Sequence, residues 1–155
     1  MDITPIRRLA IVNRVEAAMR CVRTVKSLRA LEGTDLQVIA LYTDPDREAP
    51  FVRHADMAFR LPIKTTPVAA YLDHDLLLNT LKQLGADAVW PGWGFVAESA
   101  EFVDRLRDEG IRFLGPTGST RRECVRAGIP RSPLTSRMRC RTSRSASTER
   151  GSRSE

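Results

Sequence analysis

Short apolar runs alternate along this chain with longer stretches whose apolar residues recur every three or four positions, and few folds accept that alternation. Arg8 to Val12 reads as a short buried strand, followed by Asn13, a residue suited to cap a helix. From Arg14 to Leu31 the apolar positions Ala17, Ala18, Cys21, Val22, Val25, Leu28 and Leu31 make the stripe of an amphipathic helix, stopped by Gly33. Leu36 to Tyr42 is a second strand, closed by the turn residues Thr43-Asp44-Pro45-Asp46. Phe51 to Ala55 forms one short helical turn, Met57 to Leu61 a third strand, and Pro62 and Pro67 bracket a loop. Asp73 to Leu84 is a leucine-rich helix ended by Gly85, and Ala88 to Trp90 is a fourth strand. Glu98 to Glu109 is a further helix capped by Gly110, and Ile111 to Leu114 a fifth strand before Gly115-Pro116. The order specifies an α/β fold: a doubly wound, mainly parallel five-stranded sheet with helices on both faces.

An open sheet of this kind gathers ligands beyond the carboxyl ends of its strands. The turn Pro91-Gly92-Trp93-Gly94-Phe95 falls there, between the fourth strand and the helix opening at Glu98. Glycines on both sides of Trp93 let backbone come close to another group without a Cβ in the way. The turn around Trp93, flanked by Gly92 and Gly94, is therefore where a ligand is expected.

The net charge of +6 suggests a polyanionic partner until the chain is divided. Residues 1–120 carry 15 basic and 16 acidic side chains, and residues 121–155 carry ten arginines against three glutamates. The basicity belongs to the tail, where Arg and Ser supply 17 of 35 residues. That composition predicts disorder from 121 to 155. The tail has no aromatic residue on which bases could stack, which argues against nucleic-acid binding. No apolar run approaches the roughly 20 residues of a membrane span, and Leu9 to Val12 is too short for the core of a secretory signal. Cys21, Cys124 and Cys140 form neither a zinc-type pair nor an even disulfide framework, so a reduced cytoplasm is the expected compartment.

No phosphate-binding loop of the Gly-x-x-x-x-Gly-Lys-Ser/Thr type is present, and no Gly-x-Gly-x-x-Gly follows the first strand. Ser99 lacks a nucleophile-elbow motif, and Asp73, His74 and Asp75 read as a polar helix start. No catalytic residue and no metal ligand is expected in this chain.

Several elements in order carry a resemblance: Asn13-Arg14-Val15-Glu16 after the first strand; Asp44-x-Asp46-Arg47; His54-Ala55-Asp56; Tyr71-Leu72; Gly85-Ala86-Asp87-Ala88; Pro91-Gly92-Trp93-Gly94-Phe95; and Phe113-x-Gly115-Pro116. Over residues 7–120 the chain resembles the N-terminal domain of biotin carboxylase, and residues 1–120 are assigned to such a domain. The resemblance implies a Rossmann-like domain that precedes an ATP-grasp domain in a biotin-dependent acyl-CoA or pyruvate carboxylase. The parent enzyme uses ATP and Mg to activate bicarbonate and carboxylates biotin carried on a partner domain.

By that resemblance Trp93 takes the place of the aromatic residue beside the biotin ring, where the family usually has tyrosine; a plug for the sheet end is the plainer reading. Glu98 either braces the biotin pocket or is an acidic first-turn residue favoured by the helix dipole. Arg20 and Arg23 match arginines near the family's dimer interface, or form a solvated helix face. The implied partners are a second copy of the chain or other carboxylase subunits, including the biotin carboxyl carrier.

Three departures qualify the resemblance. Val15 stands where the family has glycine, so positive φ is not expected there. Trp90 replaces a common histidine and brings the segment nearer to acetyl-CoA carboxylases, hence to fatty acid biosynthesis. After Gly115-Pro116 the family continues through Gly-Asp-Lys into the ATP-grasp domain, whereas this chain runs into its Arg/Ser segment, read as an out-of-frame or truncated end or a natural basic tail. The leading expectation is an N-terminal portion of a biotin carboxylase that binds no cofactor and does not catalyse by itself. The alternatives are an interaction module docking on a carboxylase subunit, a nucleic-acid binder working through its tail, and an unrelated nucleotide binder.

Overall fold

The computed structural model describes residues 4–63 and 65–128. In chain order the elements are β1 (Arg8–Ile11), α1 (Val15–Glu32), β2 (Gln37–Tyr42), α2 (Pro50–His54), β3 (Met57–Arg60), α3 (Pro67–Ala70), α4 (His74–Gln83), β4 (Ala88–Trp90), α5 (Ala100–Asp108), β5 (Arg112–Phe113) and α6 (Gly118–Arg126). The five strands form one sheet in the order β3-β2-β1-β4-β5, every neighbouring pair parallel. Chain progression reverses between β1 and β4, which makes their carboxyl ends the switch point of the sheet.

Side chains that alternate along the strands divide the core between two faces. Leu9, Ile11, Val38, Ala40 and Ala88 meet Ala18, Cys21, Val22 and Val25 of α1 and Phe51 of α2. Ala10, Val12, Ile39, Leu41 and Val89 meet Leu77, Leu78 and Leu81 of α4 and Phe102 and Leu106 of α5. Leu81, Phe102 and Leu106 are fully buried, each stabilising the fold by ~2–3 kcal/mol. Burial lifts the Cys21 thiol to about 12, so this cysteine is an inert packing residue.

Two acids are tie points of this architecture. Asp87 accepts from the Arg7 and Arg8 backbone N–H groups, both at 2.8 Å, and so pins the start of β1 beside β4. Asp56 accepts from the Val38 N–H at 2.7 Å and pairs with Arg29 of α1. The Tyr71 hydroxyl donates to the Leu41 carbonyl at 3.0 Å, tying the segment after α3 to β2.

Several expectations are corrected. Asn13 does not cap α1: Arg14 holds the cap position without a side-chain bond, and the helix begins at Val15. Val15 has φ of +53°, the left-handed conformation not expected of a β-branched residue. Leu31 lies 84% exposed, off the buried stripe, because the helix is ending and Gly33 turns the chain away. Within the expected loop between Pro62 and Pro67 and beyond it, Thr66 caps the short helix α3 by accepting from the Ala69 N–H. The helix expected from Glu98 is two pieces: a 3-10 turn over Phe95–Glu98, and α5, which starts at Ala100 because the Ser99 hydroxyl accepts from the Phe102 N–H.

The expected disorder from residue 121 is overturned for the first part of that segment. Thr117 caps α6 by accepting from the Thr120 N–H at 3.2 Å, and Arg122 reaches Asp104 of α5 at 2.6 Å. A Cβ at Gly118 would stand 2.5 Å from Asp104 Oδ1, so the two helices approach where glycine permits it. Tertiary packing outweighs the polar composition of the helix. The rest of the expected tail, 129–155, lies outside the described residues.

Candidate functional site

The turn after β4 stands at the switch point, and its shape follows from an unusual run of backbone angles. Gly92, Gly94 and Phe95 have φ of +58°, +70° and +46°. Gly94, with ψ of −165°, occupies a region open essentially to glycine alone. Phe95 sustains its strained angle because its ring packs on Tyr71, 5.2 Å between centroids. Strain of this kind persists only where the surroundings over-determine it, and it clusters at ligand sites.

Between these reversals Trp93 is 56% exposed, a large indole left in water. A plug for the sheet end is thereby excluded, since a plug would be buried. Trp90, one strand position before the turn, packs partly against the α1 side of the core. The two glycines differ in purpose. A Cβ at Gly92 would lie 2.8 Å from Asn13 Nδ2 and 2.9 Å from the Trp90 ring, whereas one at Gly94 would meet nothing within 4 Å. Gly92 is thus required by packing within the domain, whereas Gly94 is required by its backbone angles alone.

Glu98 closes the 3-10 turn, so its position is not the first turn of α5. It lines a groove of about 420 Å³ with Ser99, Glu101, Arg121 and Arg126. Burial lowers the Arg121 pKa while Glu98 opposes that shift, so the glutamate and the guanidinium feel one another across the groove. The structure therefore brings Gly92, Trp93, Gly94 and Glu98 together on one connection. Arg20 and Arg23 sit apart from it, exposed on α1, with Arg20 held by Glu16 at 2.7 Å.

Two residues that tie the loops beside this turn escape sequence reasoning. Asn13 donates through Nδ2 to the Pro91 carbonyl at 2.7 Å and the Trp93 carbonyl at 2.9 Å. Arg14 donates twice to Asp46, each bond 2.7 Å, which raises the guanidinium pKa, chiefly through that hydrogen bond. Both follow the first strand within the Asn-Arg pair, so their place at a strand's carboxyl end was the available signal. Among the described residues no three His, Cys, Asp or Glu side chains could hold a metal ion. What the turn offers chemically is an exposed aromatic face on a rigid, strained support, suited to stacking on a flat ring.

Residues 5–120 match the model of the family described as biotin carboxylase, N-terminal domain. The chain belongs to this family. It is 38% identical over 112 residues to a biotin carboxylase of Halalkalibacterium halodurans, covering 72% of this chain and 23% of that protein. It is 35% identical over 139 residues to a urea amidolyase of Lachancea kluyveri, covering 83% of this chain and 7% of that protein. Among solved structures it is similar to the biotin carboxylase domain dimer of Hydrogenobacter thermophilus 2-oxoglutarate carboxylase, bound to MgADP, ADP and bicarbonate: TM-score 0.68, 29% identity, 77% of this chain and 24% of that one. The chain thus spans less than a quarter of each of these three proteins. The match confirms the Rossmann-like N-terminal domain, and the variety of relatives leaves the acyl-CoA branch as one carboxylase type among several.

Proposed function

We propose that this domain supplies the biotin-side wall of a biotin carboxylase, in which ATP drives carboxylation of biotin by bicarbonate for onward transfer to an acyl-CoA. The observation that carries the reading is Trp93, exposed on a strained turn at the switch point of a biotin carboxylase N-terminal domain. The indole stacks beside the biotin ring, and Glu98, at the foot of the same turn, braces the pocket from below. Arg20 and Arg23 belong to a surface facing a second subunit, and the biotin carboxyl carrier presents its ligand to the turn.

The described residues do not fit ATP with Mg, since they contain neither a phosphate loop nor a metal-binding cluster. By itself the chain is expected to turn over nothing. The acyl-CoA branch, as in acetyl-CoA carboxylase of fatty acid biosynthesis, is favoured by Trp90 before Pro91. A cytoplasmic setting is supported by the free cysteines Cys21 and Cys124. No helix among the described residues is long and apolar enough to cross a membrane.

The test replaces the matching segment of a full-length biotin carboxylase by residues 5–120 and follows bicarbonate-dependent ATP hydrolysis with free biotin. Trp93→Ala should raise KM for biotin about tenfold, the worth of one aromatic contact of ~1.4 kcal/mol, with KM for ATP unchanged. An unchanged biotin KM overturns the reading.

A further inference from the structure

We infer that Asn13 is the positioning residue of this site, a side-chain strut that carries the β1–β4 ladder past the ends of both strands and holds the Trp93 turn in its strained form. The backbone ladder ends with the Val12 N–H donating to the Trp90 carbonyl at 3.1 Å. One residue later the Asn13 carboxamide takes over, spending both Nδ2 protons on the Pro91 and Trp93 carbonyls while Oδ1 accepts from the Arg14 N–H at 2.8 Å. Two carbonyls on one side and an N–H on the other determine which way the amide faces. Asn13 is 3% exposed, so water does not compete for these bonds.

The chemistry is specific to asparagine. Aspartate has nearly the same shape, yet its carboxylate would turn an oxygen toward two carbonyl oxygens. The surroundings are shaped to the amide as well. Gly92 lacks the Cβ that would collide with Nδ2, and the left-handed Val15 delays α1, so that Asn13 faces β4 and not the helix start. The strut spans the gap between the ends of β1 and β4, and Trp93 on the turn that it holds stays exposed. Its bearing on biotin rests on the function proposed above; the strut itself does not.

The experiment compares amide hydrogen exchange in the 155-residue chain with that of Asn13→Ala and Asn13→Asp. The amides of Ala97 and Ser99, which donate to the Gly94 and Val96 carbonyls at 2.8 and 3.0 Å, should exchange at least about tenfold faster in both variants, while Ile39 and Ala40 of β2 stay within about twofold. Unchanged exchange in the turn, or an equal rise in turn and sheet, overturns the proposal. In the hybrid carboxylase Asn13→Ala should raise KM for biotin about tenfold more than KM for ATP, a split that general destabilisation does not produce. A hybrid that responds to Asn13→Ala in exchange but never to biotin defeats the biotin reading and leaves the strut standing.

Discussion

Arg14 and Asp46 join the loop after β1 to the loop after β2 through two parallel hydrogen bonds of 2.7 Å, with the Asp46 side chain only 8% exposed. A bidentate guanidinium–carboxylate pair fixes direction as well as distance. Asp46→Asn keeps the shape but loses the charge and half the fork, and should destabilise the chain by about 2 kcal/mol in urea denaturation. A change below about 0.5 kcal/mol would show that water replaces the pair without loss.

Val15 sits at φ of +53° and is 58% exposed, so its side chain supplies little packing to offset the conformational strain. Left-handed geometry costs an L-residue roughly 1–2 kcal/mol, against ~0.5–1 kcal/mol for the extra unfolded freedom of glycine. Val15→Gly is expected to raise stability by about 0.5–1 kcal/mol, read from the denaturation midpoint at constant slope. A lower midpoint would mean that the valine makes contacts worth more than its strain.

Gly92→Ala and Gly33→Ala place the same methyl at similar positive φ angles, yet their surroundings differ. The first meets Asn13 and Trp90 below 3 Å and the second meets nothing within 4 Å. Gly33→Ala should cost about 1 kcal/mol and Gly92→Ala roughly 2–4 kcal/mol, the excess being overpacking. Equal costs would show that the turn yields freely, contrary to a rigid support for Trp93.

Burial works against ionisation of Asp56, but the Arg29 pair and the Val38 N–H outweigh it and hold the carboxyl below the usual carboxylate range. A depressed folded value means that this contribution is fully present above about pH 4 and is lost as pH falls from there toward the folded value. The pair is partly exposed, so the increment is ~0.5–1 kcal/mol. Asp56→Asn should therefore lower stability at pH 6, and the gap to the parent chain should narrow steadily as pH falls below about 4. A gap undiminished by acid would assign the effect to packing.

The strands and longer helices were legible because alternation and three- to four-residue spacing are local signals, as in α4, whose leucines mark its buried face. The candidate turn was legible for the same reason: glycines flanking an aromatic residue announce special backbone angles. What escaped was long-range. Asn13 looked like a helix cap because its neighbours are helical, while its actual partners, Pro91 and Trp93, leave no periodic trace near it. Val15 escaped because its conformation is imposed by the surrounding loops against its own preference. The start of α6 was masked by arginines and serines, although Thr117 carried a capping signal that outlasts composition.

The position of β1 has a consequence for how this chain is made. Leu9 aligns with Val38 on one side and with Ala88 on the other. During synthesis β1 can pair with β2 as soon as Tyr42 has emerged, but its other edge stays bare until β4 follows. Until Trp93 is made, the Asn13 amide lacks the two carbonyls that satisfy it in the finished domain, and contacts so distant in sequence are slow to close. The strand translated first is completed among the last, so a nascent chain halted between Gly85 and Pro91 should present an open sheet edge to chaperones, and the ligand-facing turn is the seal on the fold.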